Sequence, residues 1–410
     1  MRKNRRVFRE SLVMKCYFRS FDVGPGDCNV IRLVNDNGDQ YVIMADCGNY
    51  TPSVKEYLHD TLNNHIDLLI ATHIDGDHIQ GTARMLQEHE NLTIGEIWYN
   101  CYGRANQSEP VALNEQQKNI ILQIQKSLPL EFDAINYREI SATQGKTLAE
   151  VILSNDAYKS VWKLGNITTN TASYDIPGGW GRIVFLSPQQ EALLEIEKKF
   201  KKAFNKYFMR VWNDSIEHGE TLQELLVRLV DSFQDQSHVK SISSHQEPTY
   251  DANFIREQAK DEDADKSDTN YSSIAFMLEC GEHKIAMLGD AYASTIIDAV
   301  DAKYTAVPKP IACDAIKVPH HGSNGNNSKM LYERISSHRY YIPGGREENY
   351  PTWGTLGRIA ESHKDETTKI VVFSHPCTIT QKMNGLSEKV QRELGIETAI
   401  TEKEYELFEW

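Results

Sequence analysis

Thr72-His73-Ile74-Asp75-Gly76-Asp77-His78 brings two imidazoles and two carboxylates together in one short stretch. The apolar run 66–71 comes directly before it, and a run of this kind predicts a buried strand whose following loop is open to solvent. Imidazole nitrogen and carboxylate oxygen are ligands that suit Zn, Mn or Fe. The stretch therefore predicts a metal site at the end of a strand.

A polar turn is the alternative interpretation of this stretch. The residues after His78 have helical periodicity, and Asp77 could cap that helix. A cap uses one carboxylate and neither histidine, so the combination of four polar groups favours a metal site.

Four other polar clusters lie directly after apolar runs or between them. They are Asp22-Val23-Gly24-Pro25-Gly26-Asp27-Cys28, Asp46-Cys47-Gly48, Gly289-Asp290 and Val318-Pro319-His320-His321-Gly322-Ser323. Taken alone, Gly289-Asp290 is better explained as a helix cap. Its place between the first histidine cluster and the paired histidines instead favours a common site.

The motif His73-x-Asp75-x-Asp77-His78 resembles the H-x-[HD]-x-D-H signature of the metallo-β-lactamase fold hydrolases, in the variant with Asp at the second position. Together with the other clusters, it is similar to the soluble hydrolase domain of the ComEC-type DNA-uptake proteins and its free-standing relatives. The resemblance implies an α/β fold, a four-layer αβ/βα sandwich with a largely helical insertion. The motifs run from Asp22 to about Pro351, and they do not cover the long middle of the chain.

The resemblance also implies a role for each motif residue. Zn or Mn, as one or two ions, would be held by His73, Asp75, Asp77, His78, Asp290, His320 and His321. Catalysis would use Asp77, His320 and His321, and supporting contacts would come from Asp22, Asp27, Asp46 and Ser323. Adjacent loop histidines are expected to point in different directions, so one of His320 and His321 would be a ligand and the other a substrate contact or proton shuttle. The sequence leaves that assignment open.

Two positions depart from the pattern of the family. Many relatives have a third histidine for the first metal position, and the matching strand end here offers Ser187. Relatives also often have His before the proline of the closing segment, where this chain has Tyr350. The first departure affects whether a complete two-metal site forms.

The chain is expected to be a single domain, 1–410, with a core formed by 12–102 and 271–410. The insertion, about 103–270, is predicted to be helical and partly mobile, with helices at 114–128, 191–212 and 221–233. The segment 234–270 is polar and acidic, which is typical of a mobile region near the mouth of a site. A basic stripe, Lys198, Lys199, Lys201, Lys202 and Lys206, lies in the second of these helices.

Composition limits the function classes. The 410 residues have a formal net charge of −14, which argues against non-specific coating of nucleic acid. Because the sequence has no apolar run of membrane-spanning length and the start resembles no signal peptide, we expect a cytoplasmic protein without a membrane partner. Its seven scattered cysteines predict buried thiols. The sequence also lacks a G-x-x-x-x-G-K-[ST] phosphate loop and a G-x-S-x-G nucleophile elbow.

Three functional hypotheses follow. The first, implied by the resemblance, is a metal-dependent phosphodiesterase or nuclease that acts on DNA or RNA with metal-activated water. The second is a hydrolase of a small ester, lactone, thioester or nucleotide on the same fold, because a fold does not fix a substrate. The third is a partner-gated module in which the metal is structural and the insertion docks a protein partner.

Overall fold

One sheet has six strands, five from residues 14–99 and one from residues 405–409. The computed structural model describes residues 14–100, 148–163, 166–195, 248–347, 349–362 and 367–410. The sheet has the order β16-β1-β2-β3-β4-β5. Its strands are β1 (Met14–Ser20), β2 (Asn29–Asn35), β3 (Gln40–Ala45), β4 (His65–Ala71), β5 (Thr93–Tyr99) and β16 (Tyr405–Glu409). Four helices cover its outer face: α1 (Pro52–Asp60), α2 (Gly76–Glu88), α3 (Leu148–Leu153) and α4 (Asp156–Val161).

The second sheet has eight strands in the order β15-β14-β13-β11-β9-β8-β7-β6. Its strands are β6 (Tyr174–Ile176), β7 (Gly181–Ser187), β8 (Ala275–Cys280), β9 (His283–Met287), β11 (Ala315–Lys317), β13 (Arg339–Ile342), β14 (Lys369–Phe373) and β15 (Ile396–Ile400). A separate parallel pair consists of β10 (Ile311–Cys313) and β12 (Ile335–Ser337). The helices between residues 252 and 394 are α5 (Ala252–Gln258), α6 (Asp268–Tyr271), α7 (Ala293–Lys303), α8 (Lys329–Arg334), α9 (Trp353–Glu361), α10 (Thr378–Asn384) and α11 (Glu388–Leu394).

Three apolar cores separate four layers. The central core lies between the sheets and includes Phe18 and Ile31 from the first sheet and Phe185 and Phe276 from the second. Each outer core lies between one sheet and its helices. The predicted αβ/βα sandwich is therefore confirmed.

The topology brings the polar loops to one edge of the sandwich. β3, β4 and β5 run parallel, and so do β9, β11 and β13. The carboxyl ends of parallel strands meet at the same edge of a sheet. A hydrogen bond of 2.8 Å from Ile274 N to Thr72 O joins the two sheets at this edge. The loops after β4, β9 and β11 are thus neighbours.

The strand predicted over 66–71 and the helix predicted after His78 are present as β4 and α2. Helix α1 ends at Asp60 and does not continue to Asn64, because Asn63 and Asn64 adopt φ values of 50° and 58°, outside the right-handed helical region. The hairpin between β2 and β3 forms at Asn35, whose side chain accepts hydrogen bonds from Asn37 N and Asp39 N.

The predicted insertion is only partly within the described residues. The helices expected at 114–128 and 221–233, most of the one at 191–212, and its basic stripe lie outside them. Within 103–270, β6 and β7 belong to the second sheet. Residues 248–270, expected to be mobile, pack through the buried Ala252 and Ile255 into the outer core of that sheet. The limits of the insertion stay a prediction.

Two further observations concern the cysteines and the helices of the described residues. Six cysteines lie in the described ranges, and all six are buried free thiols. In the described part of the chain, none of the helices combines the length and the apolar character that crossing a bilayer requires.

Candidate metal centre

The loop after β4 presents its side chains to the site because its backbone is held from two sides. Asp27 N donates to Asp77 O at 3.1 Å. A Cβ on Gly26 or Gly48 would lie 1.9 or 2.0 Å from the same carbonyl oxygen. The glycines of the two upstream clusters therefore let their loops close around Asp77.

The capping alternative for Asp77 is wrong. The N-cap residue of α2 is Asp75, and its side chain makes no cap hydrogen bond. Asp75 Oδ2 accepts from Thr269 Oγ1 at 3.0 Å and lies 3.3 Å from His73 Nε2. Asp77 Oδ2 lies 3.4 Å from His321 Nε2 and 3.1 Å from the Arg346 guanidinium. Both carboxylates face other charged or polar groups of the site and not the start of the helix.

His78 is oriented by Asp46. The Asp46 carboxylate accepts from Thr72 N at 2.8 Å and from Thr72 Oγ1 at 2.7 Å. Its Oδ2 also lies 2.8 Å from His78 Nδ1. When the imidazole is neutral and its Nδ1–H donates to Asp46, the lone pair lies on Nε2. This is the arrangement of a metal-binding histidine held by a carboxylate.

His73 and His321 are held in the same way. His73 Nδ1 lies 3.0 Å from Thr72 Oγ1 and 3.4 Å from Ser273 Oγ. His321 Nδ1 donates to Pro343 O at 3.0 Å and lies 3.1 Å from Asp27 Oδ1. In both rings, Nδ1 contacts another group of the protein, as it does in His78.

Asp290 lies at the centre of the histidines. Its Oδ2 is 3.3 Å from His78 Nε2, 3.5 Å from His321 Nε2 and 3.9 Å from His320 Nε2. His320 and His321 thus both approach Asp290, contrary to the expectation that they point apart. Their φ values of 45° and 48° turn the loop so that both side chains reach the centre.

The two adjacent histidines differ in surroundings. The His321 side chain has no exposed surface, whereas 15% of the His320 side chain is exposed. His320 Nδ1 lies 2.9 Å from Asn326 Oδ1 and 3.5 Å from Asp265 Oδ2. His320 therefore lies on the open side of the centre, with its δ nitrogen held by an amide and a carboxylate.

The residues present fit a divalent metal. The Nε2 atoms of His73, His78 and His321 are buried and have no hydrogen-bond partner. A buried polar atom without a partner is costly, and a metal ion would satisfy all three. Two groups have ligand atoms within 4.8 Å of one another: Asp27, His78 and His321 in one, and His73, His78 and Asp290 in the other.

Lys317 and Asp265 belong to the centre and were missed by the motifs. Lys317 is 1% exposed and forms ion pairs with Asp27 Oδ2 and, at 3.4 Å, with Asp290 Oδ1. The sequence signal for Lys317 was its position directly before the cluster Val318-Pro319-His320-His321-Gly322-Ser323. Asp265 belongs to a segment interpreted as mobile, where no pattern distinguished it from the neighbouring acidic residues.

In the described residues, every carboxyl group with a resolved shift has a pKa below its ordinary value, so its charged form is favoured. Burial alone raises the pKa of Asp290, but His78, His321 and Lys317 outweigh it and hold that pKa well below the ordinary value. Burial likewise acts against the charge of His321, and Asp290 and Asp27 raise its pKa to about 9. Without a metal, protonated imidazoles thus neutralise the carboxylates, which is the charge that a cation would supply.

The remaining predicted residues lie around the centre. Asp22 accepts from Gly24 N at 3.0 Å and pairs with His375 Nδ1 at 2.8 Å, so it holds its own loop. Ser323 Oγ donates to Asn326 Oδ1 at 2.6 Å and thereby supports the amide beside His320. The Ser187 hydroxyl is buried without a partner, and the ring of Tyr350 lies 5.1 Å from that of His320.

Comparisons with known proteins give structural neighbours only. No protein-family model and no curated protein matches the sequence. The structure is similar to the metallo-β-lactamase fold protein YhfI from Bacillus subtilis, with 10% sequence identity, a TM-score of 0.34, and coverage of 96% of this chain and 99% of that one. It is also similar to a long form RNase Z from yeast, with 10% identity, a TM-score of 0.34, and coverage of 97% and 41%. This chain therefore spans less than half of that RNase Z.

Proposed function

We propose that this protein is a metal-dependent hydrolase that cleaves phosphodiester bonds in DNA or RNA. The observation that carries the proposal is the convergence on Asp290 of three buried histidines, His73, His78 and His321, whose Nε2 atoms make no hydrogen bond. Neutral imidazole and carboxylate ligands of this kind are typical of hydrolytic Zn and Mn sites. The resemblance of the motifs to the ComEC-type hydrolases supports the same chemistry.

The two groups of ligand atoms suggest how one or two ions would be held. His73 and Asp75 lie on one side, and Asp77 and His321 lie on the other. His78 and Asp290 stand between the two pairs. When bound, such ions lower the pKa of water and neutralise the charge of a phosphodiester undergoing in-line attack.

His320 is proposed to move the proton. Its Nε2 faces the centre, and its Nδ1 is held by Asn326 and Asp265 on the far side of the ring. An imidazole held in this way can donate its Nε2 proton to the departing alkoxide oxygen. Its partial exposure lets the ring regain a proton from solvent, whereas the enclosed His321 serves as a ligand.

The other side chains orient these groups. Asp46 fixes the ring of His78, and Thr269 fixes the carboxylate of Asp75. Lys317 binds Asp290 Oδ1 and so leaves Oδ2 directed at the histidines. We further propose a cytoplasmic location, and a protein partner bound through the insertion.

The test combines metal analysis with a cleavage screen. The protein is stripped, reloaded with Zn or Mn, and assayed on single- and double-stranded DNA and RNA and on bis(p-nitrophenyl) phosphate. We expect cleavage by the parent and a loss of several orders of magnitude in Asp77→Asn and His78→Ala. His59→Ala, which changes an imidazole side chain that is 72% exposed, is the control.

Two results would contradict the proposal. One is the absence of phosphodiester cleavage with either metal, and hydrolysis of a lactone or thioester instead would favour the alternative hydrolase. The other is parental activity in both ligand variants, which would exclude this centre as the catalytic one. A fall in thermal stability in step with metal content, with no activity in any variant, would favour a structural metal.

A further inference from the structure

A side-chain hydrogen bond also joins the two sheets at the edge that carries the metal centre. β1 and β3 both run antiparallel to β2, so the loop after β1 lies at the same edge as the loops after β3 and β4. β14 runs parallel to β13, which brings the loop after β14 to this edge as well. Asp22 follows β1 and His375 follows β14, and His375 Nδ1 lies 2.8 Å from Asp22 Oδ1. The pair therefore bridges the sandwich beside the candidate ligands.

His375 is itself held by the loop in which it lies. Its carbonyl oxygen accepts from the Oγ1 of Thr380, a fully buried residue, at 2.8 Å. Ser374, directly before it, is buried, and the Ser374 hydroxyl accepts from Gly344 N at 3.4 Å. His375 thus approaches Asp22 from a segment whose backbone is held by the second sheet and its helices.

Asp22 in turn holds the loop that it begins. The same Oδ1 that faces His375 accepts from Gly24 N at 3.0 Å. Burial alone raises the pKa of Asp22, but the hydrogen bonds from His375 and Gly24 N outweigh it and hold that pKa below the ordinary value. The charged carboxylate is therefore the form that accepts both hydrogen bonds, and hydrogen bonds to a charged acceptor are the stronger kind.

The end of this loop contacts the metal centre. Gly26 fits against Asp77 O, where a Cβ would lie 1.9 Å away, and Asp27 N donates to the same oxygen at 3.1 Å. The Asp27 carboxylate also lies 3.1 Å from His321 Nδ1. A loop released at Asp22 would therefore loosen the backbone of Asp77 and the ring of His321.

We propose that His375 is a positioning residue of the metal centre, which acts through Asp22 and the loop 22–27 on Asp77 and His321. It belongs to none of the sequence motifs. The role rests on the metal dependence of the proposed function and not on the class of substrate. With the pair intact, the ligands are ordered before the ion arrives. Without it the ion must order them, so metal binding weakens.

The first experiment measures metal affinity and not turnover. Zn and Mn are titrated into the stripped parent, His375→Ala and His375→Asn in competition with a chromophoric chelator. We expect a roughly tenfold weaker metal affinity in His375→Ala, at the lower end of the effect of removing a group that orients a ligand. His375→Asn should restore most of the affinity, because the asparagine amide N–H can donate to Asp22 in place of the imidazole.

His283→Ala is the matched control. His283 Nδ1 lies 2.9 Å from Asp314 Oδ1, and the two side chains are 33% and 25% exposed, close to the 25% and 31% of His375 and Asp22. His283 is the first residue of β9, so this pair lies at the opposite edge of the sandwich from the metal centre. Its removal should leave metal affinity at the parental level. An equal loss of affinity in both alanine variants would show a general effect of lost stability and overturn the proposal.

The second experiment asks whether His375 acts through Asp22. The metal affinities of His375→Ala, Asp22→Ala and the double variant are compared. We expect the double variant to bind metal no more weakly than Asp22→Ala alone, because that single change already removes the contact. Losses that multiply would show that His375 acts on the centre by another route, and they would overturn the proposal.

The outcomes separate this role from the proposed function. Parental metal affinity in His375→Ala would overturn the role of His375 and leave the hydrolase intact. A parent that binds metal but cleaves no phosphodiester, together with weaker binding in His375→Ala, would refute the proposed function and keep the positioning role. A parent that binds neither Zn nor Mn would refute both.

Discussion

At the scale of single residues, the centre is a balance of buried charges. Lys317 and the histidines oppose several carboxylates in a region with little solvent. Removing one partner of a buried pair leaves the other charge uncompensated, which costs more than the pair contributes. The motifs pointed to the acids and histidines, but not to the lysine that pairs with two of those acids.

Lys317→Met should destabilise the metal-free protein by about 3 to 5 kcal/mol, since Asp27 and Asp290 lose their buried cation. Denaturant unfolding measures the change. Lys329→Met, at a side chain that is 70% exposed, should stay within about 0.5 kcal/mol of the parent. A Lys317 variant as stable as this control would show that the buried pairs contribute nothing.

The metal-free protein should lose stability as the pH rises from about 6.5 to about 9. In this window His321 keeps its proton in the folded state, where its pKa is about 9, and has lost it in the unfolded chain. The folded state then binds more protons, so the free energy of unfolding falls with pH. His321→Gln should show a shallower fall, measured by denaturant unfolding at pH 6.5, 7.5 and 8.5. Equal slopes in both proteins would contradict this origin.

At the scale of elements, segments distant in sequence fix the candidate catalytic groups. The segment before β8 contributes Asp265 to His320 and Thr269 to Asp75. Its acidic, polar composition gave no periodicity from which packing could be predicted. The sequence thus identified the strand ends that carry ligands, but not the loop that orients them.

Asp265→Asn should slow cleavage of substrates with an alkoxide leaving group more than cleavage of nitrophenyl substrates. Proton donation matters most for a basic leaving group, and general acid catalysis contributes about a hundredfold to ten-thousandfold. We expect a loss toward the lower end of that range on DNA or RNA, and little loss on bis(p-nitrophenyl) phosphate. Equal losses on both substrate types, or loss of metal, would assign Asp265 a structural role.

Gly344→Ala should weaken metal binding as well as stability. The added methyl group would meet Pro25 O and His321 Nδ1, so the ring of His321 must shift. Gly395→Ala is the control, because Gly395 has a similar φ of 66° but open space around its Cβ position. We expect only the backbone cost of about 1 kcal/mol in the control. Metal titration of both variants separates the steric effect from the backbone effect.

At the scale of the whole molecule, the two sheets supply different ligands. His73 and His78 come from the first half, and Asp290 and His321 come from the second. The apolar periodicity and the motif order were enough to predict the sandwich and the set of residues that meet. They were not enough to separate His320 from His321, since that depends on the backbone geometry of one loop and on contacts from Asn326, Asp265 and Pro343.

Removing the metal should therefore weaken the association of the two halves. A ligand present at a thousand times its Kd stabilises the folded state by about 4 kcal/mol. We expect a chelator to lower Tm, and excess Zn or Mn to restore it, in calorimetric scans. The double variant His73→Ala and His78→Ala should show no such response. A Tm that is insensitive to the chelator in the metal-loaded parent would mean that the ions do not join the halves.

The pairing of β16 with β1 has a consequence for biosynthesis. Phe18 pairs with Tyr405 and Lys15 with Glu409, so the edge of the first sheet is covered by a strand translated after every other described element. Contacts between residues so far apart in sequence slow folding, and an uncovered strand edge favours aggregation. During translation, β1 keeps its open edge until the ribosome has released β16. The growing chain is thus most exposed to misassembly, and most in need of chaperones, before β16 has been synthesised.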